Sequence, residues 1–203
     1  MATPIPYTPE LRAAYERLAA DAAIRPAFRA DVALMTKRIV AVWPRYEAVA
    51  EDVGAPAHLV ALIHAMECGL RFDRHLHNGD PLTARTVHVP AGRPVDGTPP
   101  FTWEESAADA LRAHGVEQWT DWSLGGLCYV LERYNGWGYR RYHPQVPTPY
   151  LWSGTTAYTA GKYTSDGHFD PAAVSQQCGA MALLRGLADA GKLFPETPEG
   201  DAS

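Results

Sequence analysis

Residues 62–72, LIHAMECGLRF, place a carboxylate inside an apolar helical pattern. Leu62, Met66 and Leu70 recur every four residues, which predicts the inward face of a helix, and Glu67 follows Met66 directly. A carboxyl group that apolar neighbours partly remove from water has its charged form disfavoured, so its pKa rises. Such a group can donate a proton near neutral pH. In the alternative interpretation, Glu67 reaches solvent or pairs with Arg71 one turn later.

The composition limits the classes of protein to which the chain can belong. It has 203 residues, 46% of them apolar, enough for one sizeable core and short for two. The net charge of −5 and the pI of about 5.9 create no basic field that would hold nucleic acid. No run reaches the roughly 18 apolar residues of a membrane-spanning helix, and residues 1–21 lack the pattern of a secretory signal. We therefore expect no nucleic-acid partner, no membrane insertion and synthesis in the cytoplasm.

Local start and stop signals predict a mainly helical chain. Gly54 ends one helical pattern and Pro56 begins the helix that carries Glu67, while Thr102 and Glu105 form a capping box. We predict helices over residues 9–22, 26–42, 44–52, 56 to about 72, 102–115, 122–134 and 171–192. The glycines of the 122–134 helix indicate close approach of a neighbouring backbone. The expected organisation is one domain over 1–203, with N-terminal helices over 1–55, a catalytic core over 56–192 and a frayed tail over 193–203.

Two other stretches change character. Residues 73–100 are rich in turn formers and contain the alternating segment TARTVHV, which predicts a small β-hairpin or flap. Residues 135–171 are aromatic and rich in Gly and Pro, and they are too long for a passive connection.

The three cysteines are widely spaced and form no CxxC pair. Cys68, Cys128 and Cys178 are expected to be reduced, mostly buried thiols. His64 and Cys68 are four residues apart on one helix face, so a thiol nucleophile is an open alternative. The sequence identifies no oxyanion hole or orienting group for it.

A divalent-metal site near the flap is a second alternative. His75 and His77 are two residues apart, with Asp73 and Asp80 close in sequence. No third ligand follows at a recognised spacing, so we predict no metal and no other cofactor.

Glu67, Asp80 and Thr86 carry a resemblance to lysozymes. Glu67 followed by Cys68, and then Asp80 and Thr86 in the order D-x5-T, resembles the phage-type lysozyme pattern E-x8-D-x5-T. This chain reads E-x12-D-x5-T, so the flap would be enlarged. ECGLRF at 67–72 and YNGWGY at 134–139 are similar to segments of goose-type lysozymes and lytic transglycosylases. The resemblance is to the lysozyme-like superfamily and covers about residues 56–180.

This resemblance implies a mainly α (α+β) fold, a lysozyme-like helical domain with a small β-hairpin flap. It implies a glycoside hydrolase that cleaves peptidoglycan between N-acetylmuramic acid and N-acetylglucosamine after release or secretion to the wall. Glu67 would be the general acid, Asp80 the carboxylate that positions or activates water, and Thr86 a hydroxyl that holds this water. Asp73 competes with Asp80 for the second role. The alternatives are a lytic transglycosylase, a chitinase- or chitosanase-like enzyme, and a non-catalytic glycan-binding module.

The 134–163 segment mixes aromatic rings with amides and hydroxyls, as saccharide subsites do. We expect Asn135 and Tyr158 to face the ligand, together with Tyr134, Trp137 and Trp152. The partner would be peptidoglycan or a related β-1,4-linked amino-sugar polymer, bound by a monomer. The acidic balance counts against an anionic wall polymer unless basic side chains cluster in the groove. The candidates for such a cluster are Arg71, Arg74, Arg85, Arg140, Arg141 and Lys162.

Overall fold

The computed structural model describes residues 5–193 and is mainly helical. The predicted tail over 193–203 lies outside the described residues apart from Leu193. One turn of 3-10 helix, Pro26–Phe28, precedes the second α-helix. The α-helices are α1 (Pro9–Asp21), α2 (Arg29–Ala41), α3 (Trp43–Val53), α4 (Ala57–Cys68), α5 (Trp103–Ala113), α6 (Leu124–Asn135), α7 (Gly138–Tyr142), α8 (Pro149–Trp152) and α9 (Ala180–Asp189). The strands β1 (Lys162–Ser165) and β2 (His168–Asp170) form a two-stranded antiparallel sheet.

Several predicted helix boundaries that carry a local signal are confirmed. Gly54 and Gly69 end α3 and α4 in the left-handed conformation, with φ of 66° and 58°, which glycine adopts without steric cost. The capping box at the start of α5 is present: the Thr102 hydroxyl accepts from the Glu105 backbone N–H, and the Glu105 carboxylate accepts from that of Thr102. These helices therefore begin and end where short-range chemistry requires.

Helix α4 runs through the centre of the core. All ten residues from 57 to 66 are buried, and the helix packs against α3, α6 and α9. Burial on every side explains why its sequence is apolar almost all round rather than on one stripe. The helix reaches the surface only at its last turn. Glu67 is therefore at the protein surface, on a helix whose preceding turns are packed in the core.

An aromatic cluster holds the chain where it leaves α4. The ring of His64 lies 4.5 Å from that of Phe72 and 4.4 Å from that of Trp103. His64 Nε2 donates to the Arg71 carbonyl over 3.1 Å, and its Nδ1 accepts from the Tyr46 hydroxyl over 3.0 Å. Residues directly after Glu67 are thus tied to the helix itself and to the neighbouring helices α3 and α5.

The glycines of α6 do permit close approach, as predicted. A Cβ atom on Gly125 would lie 2.7 Å from Arg12 Cγ and 3.2 Å from the Arg12 carbonyl oxygen on α1. A Cβ on Gly126 would meet the backbone of Asp121, in the turn that precedes α6 itself. Gly125 therefore allows close contact between α1 and α6, whereas Gly126 leaves room for the turn that precedes α6.

The prediction of a β-hairpin over residues 73–100 is wrong. The structure describes every residue of this stretch, and the β-pairing there consists of a single isolated bridge between Arg74 and Pro81. Backbone N–H groups that would pair with a neighbouring strand donate to a side chain instead: those of Val87 and His88 donate to the Asp80 carboxylate. Five prolines in the stretch also lack the N–H donor of a strand. The β-hairpin of the protein lies instead at β1 and β2.

The prediction that the last helix begins at Pro171 is also wrong, because α9 begins at Ala180. Asp170 Oδ1 accepts from the backbone N–H of Ala172 over 2.8 Å, and the Tyr158 hydroxyl accepts from that of Ser175 over 3.1 Å. Long-range packing and side-chain acceptors hold residues 171–179 outside a helix. Among residues 5–193, no helix is both long and apolar enough to cross a membrane.

Candidate functional site

Glu67 occupies the last turn of α4 and contacts a side chain from a distant element. The Tyr150 hydroxyl, on α8, donates to Glu67 Oε1 over 2.8 Å. The Glu67 side chain is exposed to solvent, and neighbouring protein groups partly desolvate its carboxyl group. Burial raises the pKa of Glu67, and the hydrogen bond from Tyr150 opposes this rise. The raised pKa confirms the direction expected from the sequence.

Tyr134 is the second phenol beside Glu67. Its hydroxyl is buried and has no hydrogen-bond partner in the part of the chain that the structure describes. Burial, and next the negative charge of Glu67, raise the pKa of Tyr134 well above its usual value, and the same two causes act in that order on Tyr150. Both phenols therefore stay protonated.

Two further side chains border this site and were not found by sequence reasoning. The ring of His114 stacks on that of Tyr134, with centroids 4.0 Å apart and planes at 21°. The amide of Gln177 donates to the Met66 carbonyl over 3.2 Å, directly beside Glu67, and the Gln177 side chain is exposed. Tyr150 belongs to the aromatic segment noted above, but nothing in the sequence distinguishes it. No local signal marks Gln177.

Asp80 is committed to the loop that contains it. Its Oδ1 accepts from His88 Nδ1 over 2.6 Å, and its Oδ2 accepts from the backbone N–H groups of Val87 and His88 over 2.8 and 3.0 Å. The His88 side chain, joined by these backbone donors, holds the pKa of Asp80 well below its usual range. Asp80 thus acts here as a clamp that turns residues 80–88, and both of its carboxylate oxygens already accept hydrogen bonds.

Thr86 has a similar structural role. Its hydroxyl donates to the Pro90 carbonyl over 2.5 Å and accepts from the Arg93 backbone N–H over 2.9 Å. The residue is 3% exposed. Because these bonds close the 86–93 loop, the expected water-holding role has no support in the contacts of Thr86.

The predicted ligand-facing aromatics divide into two groups. Tyr158 and Trp152 are each 2% exposed, and the Tyr158 hydroxyl bonds the Gly161 carbonyl and the Ser175 backbone N–H. They anchor the irregular 136–179 segment, which corrects the expectation that they face a ligand. Asn135 is exposed in the last turn of α6, and Trp137 is half-buried beside it. Tyr134 is likewise half-buried, and its hydroxyl has no exposed surface.

The histidines that suggested a divalent-metal site, His75 and His77, form hydrogen bonds within the protein. His75 Nδ1 accepts from the Ser106 hydroxyl and its Nε2 donates to the Ala84 carbonyl, both over 2.8 Å. His77 Nε2 donates to Asp109 over 2.7 Å. Within residues 5–193 no group of three or more His, Cys, Asp or Glu is arranged to hold a metal ion.

The thiol alternative also lacks support. The Cys68 thiol donates to the His75 carbonyl, and burial raises the pKa of Cys68 to about 12. His64, the expected base, is bonded to Tyr46 and Arg71 instead. All three cysteines are free, and Cys128 and Cys178 are buried, as predicted.

The proposed basic groove is partly neutralised. Arg140 pairs with Glu132 over 2.6 Å, and Arg74 lies 3.4 Å from the Asp73 carboxylate. Arg85 donates to the Gly97 carbonyl and lies over the Phe101 ring. These three cations therefore serve internal contacts first.

Comparison of the chain with protein-family models, with curated proteins and with solved structures finds no match in any of the three.

Proposed function

We propose that this protein is a glycosidase that cleaves the N-acetylmuramic acid–N-acetylglucosamine backbone of peptidoglycan, with Glu67 as general acid. The observation that carries the proposal is the Glu67 carboxyl group, held in the last turn of a helix that is buried over residues 57–66, with a raised pKa and a phenol bound to one oxygen. A raised pKa favours the protonated carboxyl group, the form that donates a proton to the glycosidic oxygen.

The two oxygens of Glu67 would have separate tasks. Tyr150 donates to Oε1, which leaves Oε2 to carry the proton that passes to the glycosidic oxygen. After the transfer, the Tyr150 hydrogen bond stabilises the new carboxylate, because hydrogen bonds to charged groups are the stronger ones. The carboxylate can then act as base toward the group that attacks the sugar.

The state of Asp80 favours a second candidate, a lytic transglycosylase. Inverting hydrolysis needs a second carboxylate that can activate water, and the oxygens of Asp80 already accept from three donors. A transglycosylase needs only Glu67, because the sugar closes onto its own hydroxyl. Asp73, whose side chain is 71% exposed, is the remaining carboxylate for a hydrolytic route.

The substrate assignment rests on the side chains that border Glu67 and Tyr134. His114, which stacks on Tyr134, and Gln177, which is bonded beside Glu67, provide a ring and an amide of the kind that bind sugars. A chitin-type polymer shares the same backbone chemistry, and a non-catalytic glycan-binding module would use the same surface. Action on the wall after release or secretion belongs to the same proposal.

The test is turbidity loss of purified peptidoglycan with the wild type, Glu67→Gln and a matched control, Glu51→Gln, on the exposed face of α3. We expect Glu67→Gln to lower the rate about 10²–10⁴-fold, the usual contribution of a general acid, and Glu51→Gln to leave it unchanged. Mass spectrometry of the fragments then separates the candidates: reducing ends indicate hydrolysis and anhydro ends indicate transglycosylation.

If the wild type cleaved chitin oligomers and did not cleave peptidoglycan, the assigned substrate would change to a chitin-type polymer. Cleavage at equal rates by wild type and Glu67→Gln would refute the assignment of the acid. Binding of glycans without cleavage of any would leave only the binding module.

A further inference from the structure

An open hollow lies between α7 and the hairpin of β1 and β2. Its volume is about 500 Å³, within the range of small-molecule sites. Two rings, two hydroxyls and one carboxylate line it, those of Tyr142, Tyr163, Thr164, Ser165 and Asp166. None of these residues takes part in the contacts of Glu67 described above.

Tyr142 presents its ring to solvent at this hollow. The residue is 71% exposed. Among the Phe, Trp and Tyr residues of the described chain it alone is exposed, and the others are buried or half-buried. Within residues 5–193 its side chain has no hydrogen bond and no ring contact. A ring held in water in this way gains free energy when a ligand covers it.

Contacts with α7 and β2 fix the second ring, that of Tyr163. The Tyr163 backbone N–H donates to the Tyr139 hydroxyl over 3.1 Å, and the two rings meet edge-on with centroids 5.2 Å apart. On β2, the Phe169 ring lies 5.5 Å from that of Tyr163 and stacks on His143. The wall of the hollow is therefore preorganised, and a ligand does not have to order it.

Gly138 leaves the space beside the Tyr163 ring without a side chain. A Cβ atom on Gly138 would lie 3.8 Å from that ring and 4.0 Å from its hydroxyl oxygen, which are ordinary contact distances. The φ of Gly138 lies outside the left-handed region, so another residue fits this backbone without strain. A larger side chain at position 138 would thus occupy the hollow.

The polar groups of the hollow are available to a ligand. The Thr164 hydroxyl donates to the His168 carbonyl across the hairpin over 3.4 Å. The exposed side chains of Ser165 and Asp166 have no hydrogen bond or ion pair within the described residues. Hydroxyls both donate and accept, and a carboxylate accepts. A pyranose ring matches this surface, because it has an apolar face for a tyrosine ring and hydroxyl groups around its edge.

Position and charge indicate which sugar unit the hollow favours. Gly138 follows Tyr134 by four residues, so their Cα atoms are within about 14 Å of each other, and Tyr134 lies beside Glu67. Asp166 is the one charged side chain among the described residues that line the hollow. It repels carboxylates such as those of a peptide stem. N-acetylglucosamine carries neither a charge nor a peptide.

We propose that this hollow binds an N-acetylglucosamine unit of the glycan, with the ring face on Tyr142 and hydroxyl groups toward Ser165 and Asp166. The inference rests on the proposed function, to which it adds a sugar subsite remote from Glu67.

The test is titration with tri-N-acetylglucosamine, followed in two-dimensional amide NMR spectra of Glu67→Gln, in which the probe stays intact. The backbone amides of Gly138 and Gly167 report on the hollow, which both residues line, and the side-chain amide of Gln177 reports on the site at Glu67. We expect the signals of Gly138 and Gly167 to shift with the sugar and to stay in place with choline, a cation that tyrosine rings can also bind.

Three variants in the same background locate the binding. Tyr142→Ala removes a side chain without internal contacts, so the fold is kept, and it should weaken the binding read at Gly138 and Gly167 about fivefold to tenfold. Gly138→Phe should abolish it. Leu34→Ala, which removes a side chain that is 58% exposed on α2, is the matched control and should leave it unchanged.

Shifts at Gln177 without shifts at Gly138 and Gly167 would overturn the subsite and leave the proposed function standing. Equal affinities of the parent and Tyr142→Ala would also overturn it, as would shifts with choline and none with the sugar. Sugar-dependent shifts at Gly138 and Gly167 that Tyr142→Ala weakens, in a protein whose wild type cleaves no glycan, would support the sugar site and refute the glycosidase.

Discussion

Loss of Arg140 should destabilise the protein because it leaves a buried carboxylate without a counter-charge. The Glu132 side chain is 3% exposed, and Oε2 accepts from Arg140 Nε over 3.1 Å and Nη2 over 2.6 Å. The Tyr15 hydroxyl donates to the same oxygen. In Arg140→Met this phenol is the remaining partner of Oε2, and a neutral donor does not offset the desolvation of a charge.

Removal of one partner from a buried ion pair typically costs about 3–5 kcal/mol. The Arg140 side chain is 31% exposed, so water can partly replace it, and we take the lower end of that range. For a chain of this size, each kcal/mol lowers the melting temperature by about 2–4 °C. The expected loss in Arg140→Met is therefore about 6–12 °C.

Thermal unfolding followed by circular dichroism measures this loss. Arg17→Met, on the exposed face of α1, is the matched control and should change the free energy of unfolding by less than about 0.5 kcal/mol. The double variant Glu132→Gln with Arg140→Met removes the buried charge and keeps an acceptor for Tyr15, so it should recover at least half of the loss. A single variant as stable as the control, or a double variant no better than the single one, would refute the reasoning.

Two further predictions follow from the pKa shifts. In Tyr150→Phe the carboxylate of Glu67 loses a stabilising donor, so its pKa rises further. The alkaline limb of the pH–rate profile in the turbidity assay should therefore move to higher pH. A limb that stays in place or moves to lower pH would contradict the assigned hydrogen bond. Asp80 stabilises the fold fully above the ordinary aspartate pKa of about 3.9, and this stability is lost as pH falls toward its lower folded pKa. In urea titrations, Asp80→Asn should therefore have a lower free energy of unfolding than the wild type at pH 7 and lose less of it as the pH is lowered. If the free energy of unfolding of both proteins fell equally with pH, the role of Asp80 as a clamp would be disproved.

Several features of the protein were determined by short stretches of sequence. Gly54, Gly69 and the Thr102 capping box act over one helical turn, so their effect does not depend on distant parts of the chain. The apolar periodicity around Met66 likewise predicted both the buried helix and the emergence of Glu67 at its end. Local chemistry thus sufficed for many helix boundaries and for the position of Glu67 in the last turn of a helix.

The partners of Glu67 and the roles of the flap residues were decided only by the tertiary structure. Tyr150 is 83 positions from Glu67, and Gln177 is 111 positions from Met66. Such contacts depend on how α4, α6, α8 and the 171–179 segment pack, which no local pattern encodes. Asp80 and Thr86 have residue types that suit catalysis, but their side chains satisfy nearby backbone groups that the missing strand would have paired. Local rules locate a side chain on its element, and packing of distant elements decides which groups it is left free to bind.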